Sequence, residues 1–279
     1  MAGHSFSPQS SAELYRLCEI PRRCSYLPDQ TAALEYRGYG RLTPGQLESF
    51  LARGWRRFGM DIFRPACSGC FQCIPLRIDV AEFHPDKSQR RTLRKNAHVS
   101  MTLHPATVSR EHVTLYNDWH RDMTSRKGWP PQQLTPEEYA RSFLIGDYPS
   151  LHEMRYRVDT QLVGIGLVDC LPRSISSVYF YHAPDWRSLS PGTFSVLCEI
   201  ELARQMKLDY VYMGYLIRNC PSMAYKGSFR PHEILLSRPA DEEQPAWLKP
   251  ETESYNVPTL DGADSPNSSG DDDGPADND

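Results

Sequence analysis

Three cysteines at intervals of three, Cys67-Ser-Gly-Cys70-Phe-Gln-Cys73, constrain this 279-residue chain more than any other string in it. A loop with that spacing can turn several sulfurs toward one ion or cluster. Disulfides are the other use of closely spaced thiols. However, residues 1–11 lack the charged start and apolar stretch of a secretion signal, so a cytoplasmic, reducing setting is expected. Three ligands leave a fourth position open. Cys24, before Ser25-Tyr26-Leu27-Pro28, is the first candidate to fill it, and Cys18 is the reserve. Zinc and an iron–sulfur cluster fit the same four sulfurs, and three unligated thiols are the plainer alternative.

Charge divides the chain a second way. The net charge of −4 hides an acidic stretch, 241–279, with 12 acidic residues and one basic residue, Lys249. That stretch carries −11, and the preceding 240 residues carry +7. The acidic stretch is rich in Pro, Ser, Gly and Asp and cannot bury enough apolar surface to fold, so 239–279 is expected to be a disordered tail. Its role is solubility or shielding of the basic body from wrong polyanions. No run of 18 apolar residues exists, so no membrane span is expected. The length suits one large domain or two small ones sharing a core.

Local signals then place the elements. Thr43-Pro44 opens a helix, with Leu47, Phe50 and Leu51 as its apolar stripe and Gly54 as its stop. Residues 58–63 and 76–80 read as strands on either side of the cysteine loop, 88–97 as a basic helix, and 99–103 as a strand. A helix is expected over 111–126, with Leu115, Trp119 and Met123 spaced by four. Thr135 and Glu138 form a capping box for the next helix. Strands follow at 151–158, 161–169 and 175–181, the first two joined by the two-residue link Asp159-Thr160 as a hairpin. Residues 192–206 read as a helix and 210–213 as a further strand. The order is α+β, with antiparallel strands in the middle.

Three further segments can carry chemistry. Ser88-Gln-Arg90-Arg91-Thr-Leu-Arg94-Lys95 puts four cations within six residues, which suits a phosphate backbone as well as a solvated face. Arg187-Ser-Leu-Ser-Pro-Gly192-Thr193 opens a helix, and backbone N–H groups at such a start bind anions. The stretch from Tyr212 to Pro231 holds Tyr215, Arg218, Tyr225, Lys226 and Arg230, groups that place protons and bind carboxylates.

Taken in order from about residue 24 to 236, the chain resembles the bacterial aminoacyl-tRNA–protein transferases related to eukaryotic arginyl-transferases. The strings that carry the likeness are Cys24-Ser-Tyr-Leu-Pro28, Gly54-Trp-Arg-Arg57-Phe-Gly59, Phe63-Arg-Pro65 with the cysteine trio, and Ser88-Gln-Arg-Arg91. Later come Leu167-Val-Asp169-Cys-Leu-Pro172, Ser177-Val-Tyr179-Phe-Tyr181, Leu189-Ser-Pro-Gly192-Thr, Glu199-Ile-Glu201-Leu-Ala203, Gly214-Tyr215-Leu-Ile and Asn219-Cys-Pro-Ser-Met-Ala-Tyr225-Lys226. The resemblance implies a GNAT-like acyltransferase fold, a mixed and largely antiparallel sheet flanked by helices. A cysteine-containing region at 12–105 would precede the acyltransferase region at 106–238. The implied activity is transfer of leucine from leucyl-tRNA to the N-terminal α-amine of proteins starting with Asp or Glu, a step of the N-degron pathway of protein degradation. No coenzyme A is expected. Three alternatives stand beside it: an arginyl-tRNA donor, an acetyl-CoA-dependent GNAT acetyltransferase, and a non-catalytic metal-containing RNA-binding module.

The donor ester is already activated, and an α-amine with a pKa of ~7.7–8.0 is partly neutral near physiological pH. The enzyme must align amine and ester, stabilise the oxyanion and protonate the leaving ribose oxygen. From residue type and position in the matching strings, Asp169 is expected to orient or deprotonate the amine, and Tyr179 or Tyr225 to serve the leaving oxygen. A bidentate arginine suits the acceptor's carboxylate, with Arg77 the first choice and Arg64 the second. The tRNA would lie on Arg90, Arg91, Arg94 and Lys95, its acceptor end near Gly192 and Lys226. Cys24, Cys67, Cys70 and Cys73 would hold a structural zinc or an iron–sulfur cluster.

Overall fold

Local caps set the helices of this chain, and its sheets are set by pairings far apart in sequence. A computed structural model describes residues 12–250; the lead at 1–11 and the acidic residues 251–279 lie outside the described residues, and with them most of the expected tail. The chain opens with strands β1 (Glu13–Cys18), β2 (Arg22–Arg23), β3 (Thr31–Ala32) and β4 (Leu34–Tyr39). Helix α1 (Pro44–Ala52) starts as its sequence indicates. The Thr43 hydroxyl accepts from the Gln46 N–H, the Gln46 side chain caps Thr43, and Pro44 holds the first turn. Gly54, at φ +83°, turns the chain out of it.

Residues 58–63, expected as one strand, instead turn back. Strands β5 (Arg56–Phe58) and β6 (Asp61–Pro65) form a hairpin through Gly59 at φ +56°, a conformation that glycine adopts without penalty. After the cysteine loop come β7 (Ile74–Asp79), α2 (Lys87–Lys95) and β8 (Val99–Pro105). Next are α3 (Arg110–Lys127) and α4 (Pro136–Phe143), the latter opened by the Thr135–Glu138 capping box. Then follow β9 (Leu151–Val158), β10 (Gln161–Cys170), β11 (Ser174–His182), α5 (Pro191–Gln205), β12 (Tyr210–Leu216), α6 (Pro221–Ala224), β13 (His232–Leu235) and β14 (Trp247–Leu248).

Eight strands make one mixed sheet in the order β14-β13-β7-β12-β11-β10-β9-β8, with every neighbouring pair antiparallel except β11 and β12. A second, antiparallel sheet runs β1-β4-β6-β5. Helix α5 packs Val196, Leu197 and Ile200 on the face that carries Leu76, Ile78, Val168 and Val211. Helices α3 and α4 bring Leu115, Trp119, Tyr139 and Phe143 to the face that carries Leu162, Ile165 and Tyr181. An α+β architecture with a largely antiparallel sheet flanked by helices is therefore what the chain adopts.

Two features differ from the sequence reading. Strands β7 and β8, within the region assigned to 12–105, are strands of the same sheet as 106–238. Residues 239–250, assigned to the disordered tail, are docked. Asp241 binds the buried Arg37 at 2.8 Å, and the Trp247 indole donates to the Ala52 carbonyl at 2.9 Å. Trp247 supplies apolar surface that the charge count of the tail conceals.

One pairing positions everything that follows. Strands β11 and β12 pair only over Ser174–Ser176 with Tyr210–Tyr212, although β11 continues to His182 and β12 to Leu216. Both strands also slip register with their outer neighbours here, near Val168 opposite Ser177 and at Gly214. Such bulges bend strands. The two parallel strands therefore part and leave a gap in the sheet.

Candidate active site

A cavity of about 360 Å³ fills that gap. Its walls come from residues 177–180 of β11, 213–215 of β12, the start of α5 at Gly192, Ser195, Val196 and Glu199, and the α6 end at Met223, Tyr225 and Lys226. The fourth wall is built by the amino-terminal region, with Leu27, Leu34, Phe63, Pro65 and four cysteines.

Arg56 reaches into the gap from β5. Its guanidinium donates to the Ser177 carbonyl and, at 3.2 Å, to the Ser176 hydroxyl. Ser176 is the last β11 residue paired with β12, so Arg56 takes up a carbonyl that the neighbouring strand no longer meets. Gly214 on β12, at φ +79°, faces the same group, and an added Cβ there would lie 3.4 Å from Arg56 Cζ. Burial weakens the hold of Arg56 on its proton.

Glu199 is 3% exposed and lines the cavity from α5, where it accepts a hydrogen bond from the Ser177 hydroxyl. Burial raises its pKa to about 7, while Ser177 and the positive charges of Arg56 and Lys226 pull the other way. Lys226, just beyond α6, is half-buried in the lining, and its Nζ donates to the Tyr215 carbonyl at 3.2 Å. Burial, then the like charge of Arg56, lowers its pKa to about 7. Tyr225 is 39% exposed, while desolvation of its phenol against the wall pushes that group up to about 12. The cavity thus joins a buried carboxylate, a half-buried lysine and a partly exposed phenol to an apolar wall.

The expected site residues divide. Gly192, Tyr225 and Lys226 line the cavity. Tyr179 lines it along β11, but its hydroxyl lies 3.2 Å from His120 Nε2 and its ring packs among Phe58, Trp119 and Phe143 on the other face of the sheet. That orientation does not suit a proton donor to a group in the cavity.

Asp169 lies elsewhere. It is fully buried, lies outside the cavity lining, and is held by Arg57 through Nε at 2.9 Å and a terminal nitrogen at 3.0 Å. The Ser150 hydroxyl adds a third bond at 2.9 Å, so the carboxylate is committed to structure. The two expected acceptor arginines are committed as well. Arg77 pairs with Glu233 at 2.6 Å, donates to the Tyr212 hydroxyl and lies 3.7 Å over the Tyr210 ring. Arg64 pairs with Glu35, donates to the Pro239 carbonyl and covers Trp55 at 4.4 Å. Neither lines the large cavity.

Arg90, Arg91, Arg94 and Lys95 are exposed on α2, while Gln89, Thr92 and Asn96 form its buried face. Cys24, Cys67, Cys70 and Cys73 share one wall of the cavity, whereas Cys18 is exposed on β1. The Cys24 sulfur accepts from the Tyr26 and Leu27 N–H groups, each at 3.4 Å. Burial pushes the Cys73 thiol up to about 12, and charge on Cys67, Cys24 and Cys70 adds to it. Among the described residues, no three His, Cys, Asp or Glu side chains converge closely enough to hold a metal ion. The donor chemistry fits a thiolate-bound ion and the spacing of the sulfurs here does not, so no chemical step is derived through one.

Arg56, Ser177 and Glu199 escaped the sequence reading as site residues. Glu199 did leave a signal. It sits with Val196, Ile200 and Ala203 on the apolar stripe of α5, where a carboxylate is out of place.

A cavity that joins a buried carboxylate and a lysine to an apolar wall is the default candidate for an active site. The chain belongs to the arginine-tRNA–protein transferase family, whose N-terminal model matches residues 22–91 and whose C-terminal model matches 111–236. It is 35% identical to an aspartate/glutamate leucyltransferase of Campylobacter jejuni, over 83% of this chain and 98% of that one. Proteins of the same name from Helicobacter hepaticus and Marinobacter nauticus are 37% and 38% identical, covering 84% and 77% of this chain and 95% and 90% of theirs. Among solved structures, FemX matches at a TM-score of 0.38 and 8% identity, over 72% of this chain and 79% of that one, too loosely to argue from. The chain is thus an aminoacyltransferase that acts from tRNA onto protein N-termini. That membership sets aside the acetyl-CoA-dependent and non-catalytic alternatives. No helix among the described residues is long and apolar enough to cross a membrane.

Proposed function

We propose that the enzyme transfers leucine from leucyl-tRNA to the α-amine of proteins beginning with Asp or Glu, a reading supported by relatives named aspartate/glutamate leucyltransferase. The observation that carries the donor is the cavity lining. Leu27, Leu34, Phe63, Pro65, Val178, Met213 and Met223 offer an apolar wall. Glu199 is the one carboxylate among the described lining residues, and the acceptor's amine would compete with a donor side chain for it. An arginyl side chain would need a free carboxylate there, and a leucyl side chain needs none.

The remaining assignments follow from this reading. The parting of β11 and β12 supports a GNAT-like acyltransferase core. The phosphate backbone of the tRNA lies on Arg90, Arg91, Arg94 and Lys95, with the acceptor end entering by Gly192. Tyr225, the candidate phenol on the cavity wall, serves the leaving ribose oxygen. Cys24, Cys67, Cys70 and Cys73 share one wall and are the candidates for a zinc ion or an iron–sulfur cluster, which would require the sulfurs to draw closer together than they lie here. The setting is the cytoplasm and the N-degron pathway.

The test is a transfer assay with labelled leucyl-tRNA or arginyl-tRNA and peptides starting with Asp, Glu, Lys or Ala. Leucine found only on the Asp and Glu peptides is the expected result. Arginine on those peptides would overturn the donor, and leucine on Lys peptides the acceptor.

A further inference from the structure

The charged groups of the cavity differ in how far they are committed. Arg56 is spent on β11, through the Ser177 carbonyl and the Ser176 hydroxyl. Glu199 accepts from Ser177, and Lys226 donates to a single backbone carbonyl, that of Tyr215. Glu199, from α5, and Lys226, from just beyond α6, both line the cavity and feel each other's charge. Among the described residues, however, no ion pair within 4.0 Å joins them. Two opposite charges held apart in one cavity fit a ligand that carries both signs. The first residue of an acidic acceptor is such a ligand, with an α-ammonium and a side-chain carboxylate a few bonds apart.

We propose that Glu199 and Lys226 form the acceptor subsite, Glu199 receiving the α-ammonium and one of its protons and Lys226 receiving the side-chain carboxylate. This rests on the transfer reading above. It also replaces Arg77 and Arg64 as the source of acceptor selectivity, and gives Lys226 a role other than holding the tRNA end. In the reaction, the Glu199 carboxylate takes one proton from the α-ammonium. The freed lone pair attacks the ester carbon, the C–N bond forms, and the C–O bond to ribose breaks. The second amine proton leaves with the ribose oxygen as a hydroxyl group, and Glu199 returns its proton to solvent. The groups around Glu199 are Arg56, Lys226, Ser177, Ser195, Tyr225, Tyr156, Cys170 and Cys198; those around Lys226 are Arg56, Glu199, Cys73 and Cys220.

Single-turnover transfer from leucyl-tRNA to Asp, Glu, Ala and Lys peptides tests the assignment in the full chain. Glu199→Gln should slow the chemical step roughly 10²- to 10⁴-fold with every acceptor and remove the acid limb of the rate–pH profile. Glu199→Asp should restore that limb, which a merely structural carboxylate would not do. Lys226→Met should raise KM for Asp peptides roughly 10- to 100-fold and bring the Asp-over-Ala preference near unity. Lys226→Glu should turn the preference toward Lys peptides. A Glu199→Gln enzyme with the wild-type pH profile, or a Lys226→Met enzyme with the wild-type Asp-over-Ala ratio, overturns the proposal. Should the wild-type chain use only arginyl-tRNA, the donor reading fails by itself, and the same variants are scored with that donor.

Discussion

Replacing Asp169 by Asn tests the site boundary most directly, because the residue looks catalytic in sequence and structural in three dimensions. Its carboxylate meets the Arg57 guanidinium at 2.9 and 3.0 Å, with side-chain exposures of 0% and 1%. Arg57 also donates to the Gly59 carbonyl at 2.8 Å and lies 4.8 Å over the Tyr148 ring. The pair thus ties β10 to the β5–β6 hairpin and leaves no place for water to replace a lost partner. Removing one member of such a pair costs about 3–5 kcal/mol, because the other charge stays buried. At about 2–4 °C per kcal/mol for a domain of this size, Asp169→Asn should lower the melting temperature by roughly 6–20 °C. Single-turnover transfer at low temperature, where the variant is still folded, should fall less than tenfold. Arg57→Met combined with Asp169→Leu should recover most of the melting temperature, since both charges are then gone. Thermal melts and transfer rates of the three variants decide the matter. An unmoved melting temperature together with lost transfer would refute the structural assignment and return Asp169 to the chemistry.

Glu199 should make stability depend on pH. Its pKa is raised in the folded state, from 4.5 to about 7, so its contribution is complete below 4.5 and is lost as pH rises through 7. Glu199→Gln should therefore be more stable than wild type at pH 8, by about 3 kcal/mol in urea melts, and equal to it near pH 4.5; equal gains at both pH values would contradict the burial argument. Arg56→Met leaves the Ser177 carbonyl without its donor, which should cost about 1–3 kcal/mol of stability. It should also cut transfer roughly 100-fold by letting the gap between β11 and β12 shift, and a normal rate would show that Arg56 does not hold that gap. Changing Arg90, Arg91, Arg94 and Lys95 together to Gln should reduce the slope of log affinity against log salt for tRNA by about 2–4, measured by filter binding. An unchanged slope would move the tRNA to another surface.

What the sequence revealed was what neighbouring residues decide. Thr43 and Thr135 cap the helices they were expected to cap, because a capping box is complete within four residues. The Asp159-Thr160 hairpin and the long helix α3 followed for the same reason. Family membership was legible from strings spread along the chain. The errors concern partners far apart. Asp169 could not be told from a catalytic carboxylate because Arg57 is 112 residues away, and Arg77 looked free because Glu233 is 156 residues away. The short strands β13 and β14 have too few residues to show a period; β13 forms because β7 offers an edge to pair with, and β14 because β13 then offers one. The parting of β11 from β12 is likewise a matter of register between strands, which no local pattern encodes.

The two matched parts of the chain, 22–91 and 111–236, are best understood as one catalytic unit. Strand β7 comes from the first part yet lies between β12 and β13 of the second, so without it β12 would be a bare edge and β13 would lose its link to the sheet. Arg56 comes from the first part and satisfies the β11 carbonyl exposed by the gap, and the wall of Leu27, Leu34, Phe63, Pro65 and four cysteines comes from the first part as well. The second part supplies Glu199, Lys226 and the parted strands. Acid–base groups, gap and wall therefore form only when both parts fold together. On the transfer reading proposed above, donor and acceptor would therefore meet at the seam between the two matched parts of the chain.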